Sequence, residues 1–262
     1  MRIVSLAQEC LQHGTDCERM PTAILRYFTT AGFVVGADGR IQSGGKVVSD
    51  NAQKVFQLPG MAAAYALYGD IGIGDDNPET PVMLDLGDSL REMVAVPTEA
   101  PADLYTYGRE LEAKLRVRLL KAQKDGAVFH GFGAVPRYGT GLARIMLCGF
   151  VREIASEVEI LFSHSDQVLT GPNVFSVNLA RSNPEVWGSH EIAQRLFRQP
   201  ESDKTSLLDA AIAIQNYVRL CDSPEGREID PFCSTIGGHV HIAAITPTCF
   251  HWLKPPISER AA

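Results

Sequence analysis

The sequence predicts an α+β protein: two antiparallel sheets packed together with helices on their outer faces, a four-layer αββα sandwich. Three observations predict it. Short β-like runs follow one another in quick succession between residues 23 and 68. Apolar residues at three- and four-residue spacing mark two helical regions, separated by a second block of β-like runs. A last apolar run at 238–246 completes the order strands, helices, strands, helices, strand, and no stretch reads as a linker.

Taken in order, 23–28 and 32–37 form a hairpin across Thr29-Thr30-Ala31. Asp38-Gly39 is a strong turn signal, and Gly44-Gly45 is another. Runs at 46–49, 54–58 and 61–68 continue the β pattern. Helices are expected over 85–94 and 104–122, joined by a loop over 95–102; the second carries Leu111, Leu115, Val117 and Leu119-Leu120 among Lys and Arg. Paired strands follow at 143–153 and 158–163, with a weaker one at 174–179. Ser189 is placed to cap a helix over 189–198, and 205–220 is amphipathic through Leu207, Leu208, Ala211, Ile212, Ile214 and Val218. Residues 250–262 read as a tail.

The composition bounds the function. A chain of 262 residues is long enough for a large core, and 45% hydrophobic with 21% charged residues is ordinary for a globular protein. A net charge of −7 without a basic, aromatic-interleaved patch argues against a nucleic-acid partner. Six cysteines (Cys10, Cys17, Cys148, Cys221, Cys233, Cys249) are scattered without a CxxC pair, so reduced thiols are expected and no zinc site. Residues 1–19 hold only one short apolar run, at 3–7, and no run approaches a membrane span. The expected location is the cytoplasm, with no membrane partner and no cofactor.

The chemistry centres on Thr22, Asp38 and Lys54, which fall at equal intervals of sixteen residues, each at an end of a β-like run. A hydroxyl, a carboxylate and an amine would meet there at the mouth of a sheet. A threonine hydroxyl needs a base beside it, and a free α-amino group with a pKa near ~7.7 is suited to that task. An N-terminal threonine carries nucleophile and base on one residue, a lysine tunes the proton balance, and a carboxylate orients the lysine. A backbone N–H beside a glycine would hold the oxyanion. This reading makes residues 1–21 a leader that is removed and 22–262 the functional domain.

Residues 22–70 resemble the N-terminal part of a proteasome β-type subunit, an N-terminal-nucleophile hydrolase. The matching residues are Thr22, the segment Gly32-Phe-Val-Val-Gly-Ala-Asp38 with Arg40, and Lys54-Val-Phe-Gln-Leu. Ala62-Ala-Ala-Tyr-Ala-Leu-Tyr-Gly69-Asp70 is similar, with a one-residue offset, to the family strand that ends in the glycine supplying the oxyanion N–H, which the resemblance assigns to Gly69. Trp187-Gly188-Ser189 is similar to the family's Gly-Ser segment beside the nucleophile. Asp222 or Asp230, followed by Ile236-Gly237-Gly238, is similar to the family's Asp-x-x-Ser-Gly-Gly turn. The resemblance implies catalytic roles for Thr22, Asp38, Lys54, Gly69, Ser189 and Asp222, with Asp230 as the other candidate for the supporting carboxylate. It covers most of the chain but is close only over the first fifty residues after Thr22.

Three features depart from the family pattern. Ile236 stands where the family has serine, Pro21 precedes Thr22 where self-processing members have glycine, and a helical insertion is expected near 75–131. The expected function is a threonine-type peptidase that cleaves amide bonds through an acyl-ester and self-associates into a ring; an unfoldase partner is left open. The rivals are a non-catalytic ring-forming scaffold and a small-molecule amidase. Translation from Met20 instead of Met1 would leave Pro21 at the N-terminus after methionine removal.

Single residues carry bland readings as well. Asp38 alone is a turn residue and Lys54 alone a solvated strand end. His239 and His241 alternate on one expected strand and supply only two metal ligands, so a sheet face with partly buried imidazoles is favoured. His164 and Asp166 are expected in a loop, and Cys148 in the core.

Overall fold

The first hairpin sets the frame for everything that follows. Ile24 pairs with Ala37 and the ladder runs without a break to Thr29 opposite Gly32, so Thr30-Ala31 form the turn. The carbonyl of Gly32 accepts from the Thr29 hydroxyl at 3.0 Å. Gly32 has φ +139°, and a Cβ there would lie 2.1 Å from the Ile245 carbonyl oxygen. Only glycine lets the neighbouring strand approach this closely.

The computed structural model describes residues 22–43, 46–69, 72–74, 82–95, 101–131, 133–135, 139–170, 174–179, 184–197 and 205–257. The expected leader at 1–21, the Gly44-Gly45 turn, Asp70, and parts of the 75–131 segment and of the 95–102 loop lie outside them. The chain runs β1 (Ile24–Thr29), β2 (Gly32–Ala37), β3 (Ile41–Ser43), β4 (Lys46–Ser49), β5 (Val55–Gln57), β6 (Ala62–Gly69), β7 (Gly72–Ile73) and β8 (Leu84–Asp85). Next come α1 (Leu86–Ala95), α2 (Leu104–Lys124), β9 (Gly133–Val135), β10 (Gly139–Val151), β11 (Ile154–Ser165), β12 (Val168–Leu169), β13 (Val174–Ser176) and β14 (Glu185–Trp187). The remainder is α3 (His190–Arg195), α4 (Leu207–Cys221), α5 (Pro224–Ile229), a 3-10 turn (Pro231–Thr235), β15 (His241–Ile245) and β16 (Phe250–Lys254).

This is a mixed α/β fold with several antiparallel sheets. One sheet has the order β14-β1-β2-β15-β16; a larger one has β12-β11-β10-β6-β5, with β9 and β13 pairing at its flanks. Three apolar clusters occupy the interior. Ala23, Leu25, Tyr27 and Val34 pack with Ala210, Ile214 and Tyr217 of α4. Tyr65, Leu67, Leu147 and Ile160 pack with Leu90 of α1 and Leu111 and Leu115 of α2. Ile24, Phe33 and Val35 of the first sheet pack with Ala64, Ala66, Met146 and Cys148 of the second. An ion pair of β1 and β11 is buried, Arg26 Nε to Glu157 Oε2 at 2.6 Å. Caps fix the helix starts: Ser189 accepts from Ile192 N, and Ser206 and Asp209 form a reciprocal capping box. No described helix is long and apolar enough to cross a membrane.

Several elements differ from the expectation. β10 and β11 are longer than expected and meet at Arg152-Glu153, both with positive φ (51° and 66°). Neither residue signals such a turn, so the sequence places the strand end too late. His164 lies in β11, not in a loop. β15 begins only at His241; His239 lies outside it and its Nε2 is 2.8 Å from the Pro255 carbonyl, so the two histidines do not share a strand face. The expected tail contains β16, an aromatic edge strand that pairs with β15.

Candidate active site

Thr22 precedes β1, Asp38 follows β2, and Lys54 precedes β5. The antiparallel register of β1 and β2 brings the first two together, because Ile24 is opposite Ala37. One Asp38 oxygen accepts from Ala23 N at 2.9 Å; the other accepts from Arg40 N and Gly237 N, both at 3.2 Å. Lys54 enters from the second sheet. Its Nζ donates to Asp38 Oδ1 at 2.8 Å, to the Arg40 carbonyl at 2.7 Å and to Thr22 Oγ1 at 3.3 Å. These three acceptors match the three donors of an ammonium. Burial pushes the Lys54 pKa down, and the Arg40 charge adds to that; Asp38 opposes both. Thr22, Asp38 and Lys54 are all buried.

The other expected residues surround this core. Gly69 ends β6 with φ +106°. The pairing of Val55 with Ala66 puts it at the same end of the second sheet as Lys54. The segment carrying Ser189 passes beside the threonine: a Cβ on Gly188 would lie 3.5 Å from the Thr22 carbonyl oxygen. The Ser189 hydroxyl donates to Asp230 Oδ2 at 2.5 Å. Asp222 pairs instead with Arg40 at 3.0 Å and with Arg227 at 2.6 Å. Of the two candidate carboxylates, Asp230 is therefore the one on the serine.

The site also contains residues to which sequence reasoning gave no role in it. Arg40 bonds Asp50 through Nε at 2.7 Å, and its Nη1 also reaches the Ile236 carbonyl at 3.3 Å. Burial of its guanidinium is outweighed by Asp50 and Asp222, which raise its pKa. Gly237 packs on this pair, since a Cβ there would lie 2.8 Å from both Arg40 Cζ and Asp222 Cγ. A side chain at this position of the turn after Ile236 would collide with the pair. His241 lies on β15 opposite Ala37, and its Nε2 is 2.9 Å from Lys54 N and 3.1 Å from Val55 N. The sequence sign of it was an apolar run carrying His239 and His241, which suggested buried imidazoles but no partner. No group of three or more metal-ligating side chains occurs among the described residues.

No protein-family model matches the sequence. No curated protein matches it either. Solved structures do match. One is Anbu from Hyphomicrobium sp. strain MC1, at 14% identity and TM-score 0.53, covering 91% of this chain and 88% of that one. A Gly-1 mutant of the same protein gives 14% and 0.52, covering 91% and 87%. The helical assembly of the Anbu complex from Pseudomonas aeruginosa gives 12% and 0.56, covering 92% and 88%. The fold is that of Anbu.

This corrects the resemblance read from the sequence. These solved structures are Anbu proteins, not proteasome β-type subunits, and the assignment to the latter falls. The physical reason is that the sixteen-residue intervals follow from the β1–β2 hairpin and the start of β5. A chain that builds this hairpin and a β3–β4 connection of the same length reproduces the spacing, so the spacing reports the frame and not the family.

Proposed function

We propose that this chain is a threonine-type N-terminal-nucleophile amide hydrolase acting on peptide bonds. The observation that carries the reading is the convergence of Lys54 Nζ on Thr22 Oγ1 and Asp38 Oδ1 in a buried setting. An ammonium donating to Thr22 Oγ1 favours the negative charge that develops there during attack. Removal of residues 1–21 frees the Thr22 amine, which takes the hydroxyl proton as Oγ1 bonds to the substrate carbonyl carbon. The oxyanion is held by the Gly69 N–H. Collapse expels the substrate amine with that proton and leaves an acyl-ester on Thr22, which water then cleaves. Ser189, supported by Asp230, follows the Gly188 that packs against Thr22; Asp222 holds Arg40, whose backbone N–H holds the Asp38 carboxylate.

The proposal includes the layer order helix–sheet–sheet–helix, supported by the three apolar clusters, and a helical insertion near 75–131, supported by α1 and α2. It includes self-association, supported by the helical assembly of the Anbu complex. A second reading, a non-catalytic assembling scaffold of the same fold, is favoured by Pro21. The proline ring restricts the backbone before Thr22 and opposes attack on that carbonyl.

N-terminal sequencing of the purified protein, followed by a peptide epoxyketone, which bonds to a hydroxyl and its neighbouring amine, separates the two. Chains beginning at Thr22 that gain one adduct there support the hydrolase. Chains that keep Pro21 and gain no adduct support the scaffold.

A further inference from the structure

β5 is an edge strand: in the larger sheet it pairs with β6 alone. Backbone N–H groups on the other side of such a strand need an acceptor when they are buried. Lys54 N and Val55 N, at the start of β5, both point to one atom, Nε2 of His241, at 2.9 Å and 3.1 Å. His241 belongs to β15 in the other sheet, opposite Ala37 and so next to Asp38. Its side chain is buried, and the ring of Trp252 from β16 closes on it edge-on with centroids 6.2 Å apart.

We infer that His241 is a positioning residue for Lys54, fixing through its unprotonated Nε2 where the lysine backbone starts the strand and so where the ammonium reaches Thr22. The inference rests on the proposed hydrolase only for its kinetic consequence; the geometric part stands without it. An imidazole nitrogen that accepts two N–H bonds carries no hydrogen, so the ring proton sits on Nδ1. The charged and titratable groups around the ring are Lys54 from the β5 end, His239 before β15, and Lys254 from β16. All three oppose a positive imidazole, and burial opposes it most. The ring therefore stays an acceptor over the range in which the threonine chemistry runs. No other described hydrogen bond ties the Lys54 backbone to the sheet that carries Thr22 and Asp38; its side chain makes the remaining hydrogen bonds.

The test uses the full chain with the wild-type residue, His241→Gln and His241→Phe. Gln keeps an acceptor at about the reach of Nε2; Phe keeps the shape and removes it. Amide hydrogen exchange at Lys54 and Val55 should quicken by about tenfold or more in His241→Phe, as expected when buried donors lose their acceptor, with Ala243 and Ala244 unchanged. The Lys54 side-chain titration, read by carbon-13 NMR, should move in His241→Phe and return in His241→Gln. The rate of epoxyketone acylation and its pH profile should follow the same pattern.

Equal behaviour of Gln and Phe in exchange and titration overturns the inference. If no form is acylated, the hydrolase reading fails while exchange and titration still decide the positioning role. If His241→Phe does not fold, nitrogen-15 NMR of the wild-type ring decides: an Nδ1–H tautomer upholds the inference, and an Nε2–H tautomer overturns it.

Discussion

The ammonium of Lys54 lies 2.8 Å from the carboxylate of Asp38, with side-chain exposures of 3% and 0%, and the two residues come from different sheets. A buried pair of this kind is expensive to break on one side only. Lys54→Met should destabilise the fold by about 3 kcal/mol, at the low end for such a break because three backbone N–H groups still hold Asp38. Adding Asp38→Asn should recover most of that loss while acylation stays absent. Urea midpoints of the two singles and the double measure it; a double mutant no more stable than Lys54→Met contradicts the pairing.

Thr22→Ala should leave stability within about 1 kcal/mol, because the residue lies outside the β1 ladder and brings little apolar area to the core. Its adduct with the epoxyketone should vanish. Thr22→Ser keeps the hydroxyl and should retain an adduct. Mass spectrometry reads both; an adduct on Thr22→Ala places the nucleophile elsewhere.

Asp230 and Asp222 should behave differently. Asp230→Ala removes the acceptor of the Ser189 hydroxyl and should slow acylation by about a hundredfold, the range of a lost proton-relay partner. Asp222→Ala leaves Arg40 on Asp50 and should slow it far less. Acylation rates of the two variants under one condition decide; the reverse order would make Asp222 the supporting carboxylate.

How much of this was legible in the chain depends on how local it was. Thr22, Asp38 and Lys54 could be grouped because the β1–β2 hairpin and the β3–β4 connection fix their relation, and such relations survive as spacing. Asp230 could not be separated from Asp222, because the choice turns on α5 and the 3-10 turn, one helical turn each, whose caps involve Ser223 and Asp230. His241 was misread because its partners are backbone N–H groups 187 and 186 positions away, which leave no side-chain pattern. β14 was missed because three residues are too few for an alternation to register.

Two buried groups should give stability opposite pH slopes. Burial, helped by Lys54, His239 and Lys254, pushes the His241 pKa down to about 3 from 6.5. The unfolded chain binds the proton first, so this contribution, on the order of 5 kcal/mol, is complete above pH 6.5 and lost as the pH falls towards 3. Burial pushes Glu157 up to about 7 from 4.5 against the pull of Arg26. Its contribution is complete below pH 4.5 and lost as the pH rises through 7. Unfolding midpoints between pH 3 and 8 should flatten on the acid side in His241→Gln and on the neutral side in Glu157→Gln. Unaltered slopes in both variants would mean that neither group titrates differently on folding.

Gly32→Ala should destabilise by about 3 kcal/mol or more, since φ +139° is closed to alanine and its Cβ would meet the Ile245 carbonyl oxygen. Thermal unfolding measures it. A midpoint within experimental scatter of the wild type would mean that β15 does not depend on this close approach.

Lys54 reaches Thr22 from the opposite sheet, which makes their contact a property of the finished molecule. A nascent or partly folded chain can form the β1–β2 hairpin and present its hydroxyl beside Asp38, yet it carries no ammonium there until the sheets dock. If the chain is the proposed hydrolase, its hydroxyl lacks this charge partner until then, and other unfolded chains nearby are spared. On that reading reactivity needs both the docked sheets and the removal of residues 1–21, and the two conditions together guard assembly.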